Sequence, residues 1–336
     1  MTDASPDIAT PLVAALAERV LVVVPTLNEA DGIEACLASL MTDGTEAASF
    51  VVADGGSADG TPDIVQRLAR TRPNLSLMRN ERRVQAAAVN DAARAAPASR
   101  DLLVRCDAHA TYPDGYVLGV AAATERTGAA SLVVAMDTRP RPGAGAFERA
   151  NALAVSSLLG TGGSAHRGGQ RSGWVDHGHH AGLRRDALLA VGGYDEGLPA
   201  NEDAELDTRL ARAGGGVWLE ASLRPTYHPR RTPAALWRQY ARYGEGRAIH
   251  ARRHETGLRP RQLAPALLAP GLAASLASGF VFPPALLLPL AYLLVLTVAS
   301  VWLAVRSRDA AGLLAGAALG IMHVAWSVGF WRGRLR

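Results

Sequence analysis

Sulfur is scarce in this chain. Its two cysteines, Cys36 and Cys106, have no zinc-type spacing, and both stand in apolar stretches. That excludes a disulfide framework and predicts two buried, reduced thiols, as in a cytoplasmic catalytic domain. Lysine is missing altogether, so every basic side chain is arginine. Aromatic residues do not interleave with those arginines in an RNA-binding pattern, which argues against nucleic acid as a partner. The opening MTDASPDIATP has neither a basic n-region nor an apolar signal core and reads as a loose tail. No glycine-rich stretch matches a Walker loop or the dinucleotide fingerprint. Charge is also missing locally: between residues 262 and 331 it is confined to Arg306, Arg308 and Asp309.

That last absence is a composition boundary. The first 260 residues read as a soluble domain, and the tail reads as a membrane region. Three apolar segments fall at about 264–282, 284–305 and 310–331; the first holds Pro265 and Pro270 and can be bent or interfacial. Ten arginines lie between Arg224 and Arg261, within a net charge of +4. They suit an anionic cytoplasmic membrane surface or a polyphosphate ligand. Arg332, Arg334 and Arg336 at the far end count against three full spans.

Upstream, strand, loop and helix alternate. Residues 20–24 are a continuous apolar run closed by Pro25, followed by Thr26, Asn28 and Glu29 and the spaced Ile33, Leu37 and Leu40. Residues 50–54 repeat the pattern and end on Asp54, before the turn 55–60. A third strand at 75–78 and a helix from Gln85 follow. This alternation predicts βαβ units and a mostly parallel α/β sheet flanked by helices. The run Leu102, Leu103, Val104 predicts a buried strand, with Asp107 and His109 beyond its end. At the carboxyl end of a sheet, such a pair can hold a divalent metal; alternatively, it is an acid in a solvated turn. Residues 137–173, rich in Gly, Arg and Pro, read as a mobile loop. The cluster His177, His179 and His180 can bind metal, contact an acceptor or simply pack. Asn201 can cap a helix whose first turn holds Glu202 and Asp203. A helix entered at Pro233 carries Arg238, Gln239 and Arg242 on one surface.

Five of these stretches occur in one order: VVVPTLNE (22–29), VVADGGSADGT (51–61), RCDAHATYP (105–113), GGYDEGLPANEDAEL (192–206) and QYARYG (239–244). In that order they resemble the family 2 glycosyltransferases of the GT-A fold, and more narrowly the bacterial succinoglycan type with C-terminal membrane helices. The resemblance implies a Rossmann-like GT-A domain and a nucleotide-diphosphate sugar donor, UDP-linked. The acceptor would be a saccharide or lipid-linked saccharide. Pro25, Thr26, Asn28, Glu29, Asp54 and Arg83 would bind the nucleotide sugar, with Asp107. Asp107 and His109 would hold Mn²⁺ or Mg²⁺, His109 standing where the family motif usually has a second aspartate. Asp203, beside Glu202, would be the catalytic base. His180, Gln239, Arg242 and Tyr243 would contact the acceptor or the diphosphate, Tyr243 replacing the tryptophan of processive members. Arg82, Arg83 or the Arg242 region could stabilise the leaving diphosphate.

One base and one displacement imply inversion of the anomeric carbon. The domain organisation expected is a tail at 1–17, a catalytic domain at 18–230, basic juxtamembrane helices at 231–262 and a membrane domain of two or three helices at 263–331. Membrane lipids would then be partners, with the catalytic domain on the cytoplasmic side. Two other functions fit the same residues: sugar transfer onto polyprenyl phosphate, and a non-catalytic membrane scaffold that retains a nucleotide-sugar fold.

Overall fold

The structure, a computed structural model, describes residues 9–162, 171–255, 258 and 260–336. It forms two compact units. One holds the chain up to Asp137, the stretch ending at Glu196, and Glu202–Tyr227; the other holds the stretch from Thr138, then Gly197–Asn201 and His228–Arg336. The stretch from Thr138, expected within a catalytic domain at 18–230, falls in the same compact unit as the C-terminal helices.

The first unit is built on strands β1 (Val20–Thr26), β2 (Ser49–Asp54), β3 (Leu75–Arg79), β4 (Leu102–Arg105), β5 (Ala110–Thr111), β6 (Ser131–Val134), β7 (Asp137–Thr138), β8 (Gly173–Val175), β9 (His179–Arg184), β10 (Val217–Glu220) and β11 (Thr226–Tyr227). Eight of them make one sheet in the order β3-β2-β1-β4-β9-β6-β10-β8. The pairs β1/β2, β1/β4, β2/β3 and β6/β10 are parallel, while β9 and β8 run antiparallel to their neighbours. The expected mostly parallel α/β sheet is present. Apolar runs such as Val20–Val24 suit a strand covered on both faces, and all five of these residues are buried.

Pro25 does not close β1 as expected; it pairs opposite Ala53, and the strand continues to Thr26. Val23, on the same edge as Pro25, accepts from the Cys106 N–H at the end of β4. The missing N–H of Pro25 therefore faces past the end of β4, where no ladder bond is lost. The tail expected at 1–17 is a helix over Ala9–Ala17, its end held by buried Ala17; residues 1–8 lie outside the described chain. Both cysteines are free and buried, as expected.

The turn Gly192–Gly193 delivers Tyr194. Both glycines have positive φ, and a Cβ on Gly193 would overlap the side chain of Asn90. Asn90 in turn clamps Tyr194: its Nδ2 donates to the Tyr194 carbonyl at 2.9 Å, and its Oδ1 accepts the Tyr194 N–H at 2.7 Å.

In the second unit, the segment expected to be a mobile loop contains the helices Ala146–Ser156 and Leu158–Thr161. Alanines favour that helix, and Ala150, Ala152 and Ala154 are buried. The 163–170 part of that expectation lies outside the described residues. The helix entered at Pro233 runs to Arg253, with the Thr232 hydroxyl accepting from the Ala235 N–H. Then come the helices Pro260–Ser278, Leu287–Ser307 and Ala315–Leu335. Among the described residues, two helical stretches are long and apolar enough to cross a membrane, Pro283–Ser307 and Ala310–Leu335; the apolar stretch Gln262–Ser278 is shorter.

Gly193→Ala should cost about 1–3 kcal/mol, because the new methyl meets Asn90 at a backbone angle that L residues rarely adopt. A drop in melting temperature checks this. No drop would mean that Asn90 can turn away freely.

Candidate active site

The site forms where β4 ends. Arg105, the last residue of β4, is only 4% exposed and faces three carboxylates. It is hydrogen-bonded to Asp203, and its Nη2 lies 3.8 Å from Asp107 and 3.7 Å from Glu202. Its guanidinium also stands over the Tyr194 ring, 5.6 Å from the centroid. A buried guanidinium needs charged partners, and here it has three.

Asp107 follows two residues later on a tied backbone. Its N–H donates to the Tyr112 hydroxyl at 2.6 Å, and that hydroxyl lies 3.2 Å from the Asp107 carbonyl. Gln85 Nε2 donates to its Oδ1 at 2.9 Å. Burial pushes the Asp107 carboxyl up, but His179, Arg105 and His109 together outweigh this, so its pKa ends below the ordinary value. Asp203 is held lower still: burial opposes ionisation, and Arg105, His180 and His179 overcome it. Glu202 goes the other way, raised by burial and by the charge of Asp203.

The two histidines that open β9 divide the work. His179 Nε2 is 3.6 Å from Asp107 Oδ2 and its Nδ1 is 3.8 Å from Asp203 Oδ2. Burial outweighs both acids and lowers its pKa, so the ring is neutral at pH 7. His180 is fully enclosed. Its Nε2 meets Asp207 at 2.8 Å, its Nδ1 meets the Tyr194 hydroxyl at 2.5 Å, and its N–H donates to Asp203 Oδ2 at 3.4 Å. This corrects the expectation that His180 contacts acceptor or diphosphate, since a ring with no exposed surface cannot reach either. His180 supports Asp203 from behind. Burial lowers its pKa, the charges of Asp207 and Asp203 raise it more, and the net shift is upward.

The residues expected around the nucleoside converge at the ends of β1 and β2. Asn28, at φ 55°, accepts the Ala58 N–H on its side chain at 2.9 Å and donates its own N–H to Ser57 at 2.8 Å. The Glu29 N–H donates to Thr61, and Thr26 Oγ1 donates to the Val24 carbonyl. Asp54 is turned onto its own loop, accepting from the Gly56 and Ser57 N–H groups and from the Ser57 hydroxyl. It therefore shapes the loop beyond β2. Arg83, at φ 60°, donates to the Gly55 and Gly56 carbonyls. Arg82 turns away to Asp91 and Glu196. His109 Nδ1 lies 3.3 Å from Glu29.

Asn201 is the residue expected to cap the helix Glu202–Arg212. It lies at φ 65°, outside the extended conformation of a cap, and its amide donates to the Tyr243 carbonyl within the second unit. In that unit Gln239 is buried and donates to the Tyr243 hydroxyl at 2.9 Å, while Arg242 is exposed.

Arg105, Tyr194, Asp207 and Gln85 were not singled out from sequence. Signals existed for two of them. Arg105 lies two residues before Asp107 at a strand end, and Asp207 lies one helical turn after Asp203. Among the described residues no three His, Cys, Asp or Glu groups converge as a metal cage. A cation shared with a diphosphate does not need one, because one or two protein ligands suffice beside phosphate oxygens. The ionised Asp107 and the neutral His179 ring beside it fit such a cation.

Residues 21–192 match the family model described as Glycosyl transferase family 2. Succinoglycan biosynthesis protein ExoA of Rhizobium meliloti (strain 1021) is 43% identical over 322 residues, covering 93% of this chain and 94% of that protein. The solved structure of mannosyltransferase PcManGT from Pyrobaculum calidifontis, in complex with GDP-Man and Mn²⁺, superposes with a TM-score of 0.57 at 24% identity, covering 94% of each chain. At that identity, the likeness is one of fold.

Arg105→Met should destabilise the protein by about 3–5 kcal/mol near neutral pH, since it strands buried carboxylates without their cation. The loss should shrink as the pH falls through the carboxylate range and protonation removes the uncompensated charge. Denaturation at pH 7 and pH 4 measures this; an equal loss at both would mean that the guanidinium acts by packing alone.

Proposed function

The chain belongs to glycosyl transferase family 2, and from that premise we propose that it is an inverting, membrane-attached transferase of exopolysaccharide assembly. In this reading it moves a sugar from a nucleotide-diphosphate donor, taken as UDP-linked, to a saccharide or lipid-linked saccharide acceptor. The observation that carries the proposal is the meeting of Asp107, Glu202 and Asp203 around Arg105 at the carboxyl end of β4. The extent of the likeness to the succinoglycan protein supports the choice of acceptor. The exposed apolar helical stretch Pro283–Ser307 supports attachment to the cytoplasmic membrane, with the catalytic unit in the cytoplasm.

Asp107, with His179 or His109, would hold the divalent cation, which when bound neutralises charge on the leaving diphosphate. The structurally related mannosyltransferase was solved with Mn²⁺, which supports the choice of metal. The loops around Asn28, Asp54 and Arg83 would seat the nucleoside. The acceptor hydroxyl oxygen forms its bond to the anomeric carbon as the bond from that carbon to the diphosphate oxygen breaks. The electron pair of the broken bond leaves with the nucleoside diphosphate, and the hydroxyl proton passes to Asp203.

A carboxylate held as strongly ionised as Asp203 is a weak base. It therefore suits a late proton transfer, after the forming C–O bond has made the hydroxyl acidic. Glu202, with its raised pKa, lies against the same guanidinium and would orient the acceptor.

Asp203→Asn should lower transfer by about 10²–10⁴-fold, while donor affinity stays within about threefold, a difference under 1 kcal/mol. Radiolabelled nucleotide sugars, tested with membrane lipid extracts and with or without Mn²⁺, measure both. Normal turnover in this variant would remove Asp203 from the mechanism. Asp107→Ala should abolish the Mn²⁺-dependent part of donor binding in calorimetry; binding that still responds to Mn²⁺ would place the cation elsewhere.

A further inference from the structure

The helix Ala315–Leu335 looks like a membrane span by composition, but its surroundings do not. Half of the most apolar window of its stretch is buried inside the protein, against 11% for Pro283–Ser307. The helix Pro233–Arg253 is packed along it. Gly329 abuts Ala241, Gly244 abuts Trp326 and Phe330, and Gly333 abuts Glu245 and Ala248, so closely that no Cβ would fit at any of the three glycines. Glu245 also pairs with Arg336 at 2.5 Å. These contacts advance in the same direction on both helices, so the two run parallel. Whatever depth one occupies, the other shares.

The partner helix carries Arg238, Arg242 and Arg252, all exposed. A helix with that series cannot lie in hydrocarbon, where arginine is tolerated only when paired or lining an aqueous cavity. The other flank is also polar. Arg149 pairs with Asp309 at 3.0 Å, just before Ala315–Leu335 begins, and the adjacent Glu148 binds Arg141 at 2.9 Å. Halfway along the helix, His323 Nε2 meets the Leu159 carbonyl at 3.1 Å. Polar contacts thus recur beside this helix from Asp309 to Arg336.

Apolar surface lies open elsewhere in the unit. Phe280 and Val281 are 93% and 90% exposed, and Phe282 is 61% exposed. They join Leu267 and Leu276 of Pro260–Ser278 to the row Leu290, Leu294, Val298 and Trp302 of Leu287–Ser307, all exposed. Exposed Arg306, Arg308, Arg332 and Arg334 complement an anionic surface.

We infer that this unit is a monotopic anchor. The Pro260–Ser278 face, the 280–282 tip and Leu287–Ser307 enter one leaflet of an anionic bilayer. The helix Ala315–Leu335 does not cross, and residues 307 and 335 stay on the same side of the membrane. Leu287–Ser307, at about 1.5 Å per residue, is long enough to span. Its far end, however, is tied through Asp309 to Arg149, and crossing would carry the arginine helix with it. This inference presupposes the membrane attachment proposed above and fixes its form.

The test uses the full chain in membrane vesicles of known orientation, with Ser307→Cys, Leu335→Cys and Val281→Cys made singly. Cys36 and Cys106 are buried and stay silent to a membrane-impermeant maleimide. Ser307→Cys and Leu335→Cys should label from the same face. Val281→Cys should label from neither, and a bimane attached there after solubilisation should be quenched in vesicles containing brominated phosphatidylglycerol. Labelling of residues 307 and 335 from opposite faces overturns the monotopic form while leaving membrane attachment intact. A chain that stays in the soluble fraction overturns attachment as well, and free labelling of Val281→Cys overturns the insertion site.

Discussion

The catalytic unit depends on one buried guanidinium. Arg105 ends a central strand, is almost wholly enclosed, and is surrounded by Asp107, Glu202 and Asp203. Without it these acids would be harder to ionise in that setting, and the cation would be unfavourable there without them. The cluster therefore couples segments far apart in sequence: the end of β4, the start of the Glu202–Arg212 helix and, through the histidines, the start of β9. The glycine turn before Tyr194 and the Asn90 clamp place an aromatic face against the same guanidinium.

Behind this cluster lies a second layer. His180 is wedged between Asp207 and Tyr194 and offers its backbone N–H to Asp203. The Asp203 carboxylate, the base we propose, is thus fixed from two sides, by the Arg105 cation and by His180. Such preorganisation suits a displacement in which charge moves from an acceptor oxygen to a departing diphosphate. It also separates the acids by role. Asp107 and Asp203 are held ionised, while Glu202 retains its proton more readily.

Much of this was legible in the sequence. Apolar runs ending on polar loops marked β1, β2 and β4, because strands covered on both faces must be apolar throughout. The acidic residues of the site stood out because a strand end and a helix start both expose carboxylates. Arg105 was hidden, since a lone arginine after an apolar run looks like a solvated end, and only the folded structure brings three acids to it. The place of His180 is hidden for the opposite reason: neighbouring histidines on a strand face opposite sides, and the sequence does not say which of His179 and His180 is the enclosed one. In sequence, residues 146–156 read as loop because flanking glycines and arginines mask an alanine-rich helix. The tail was legible as apolar, but whether an apolar helix meets lipid or an arginine-bearing neighbour is a tertiary fact.

We propose that Arg105 keeps Asp203 ionised, ready to take the proton of the acceptor hydroxyl. The pH dependence of kcat/KM for Arg105→Gln beside the unaltered enzyme tests it most directly. With the cation in place, Asp203 should contribute no acidic limb above about pH 4. Without it, burial should raise the Asp203 pKa, and the residual activity should rise with pH across about pH 5–7. A variant whose profile keeps the shape of the unaltered enzyme would contradict the account.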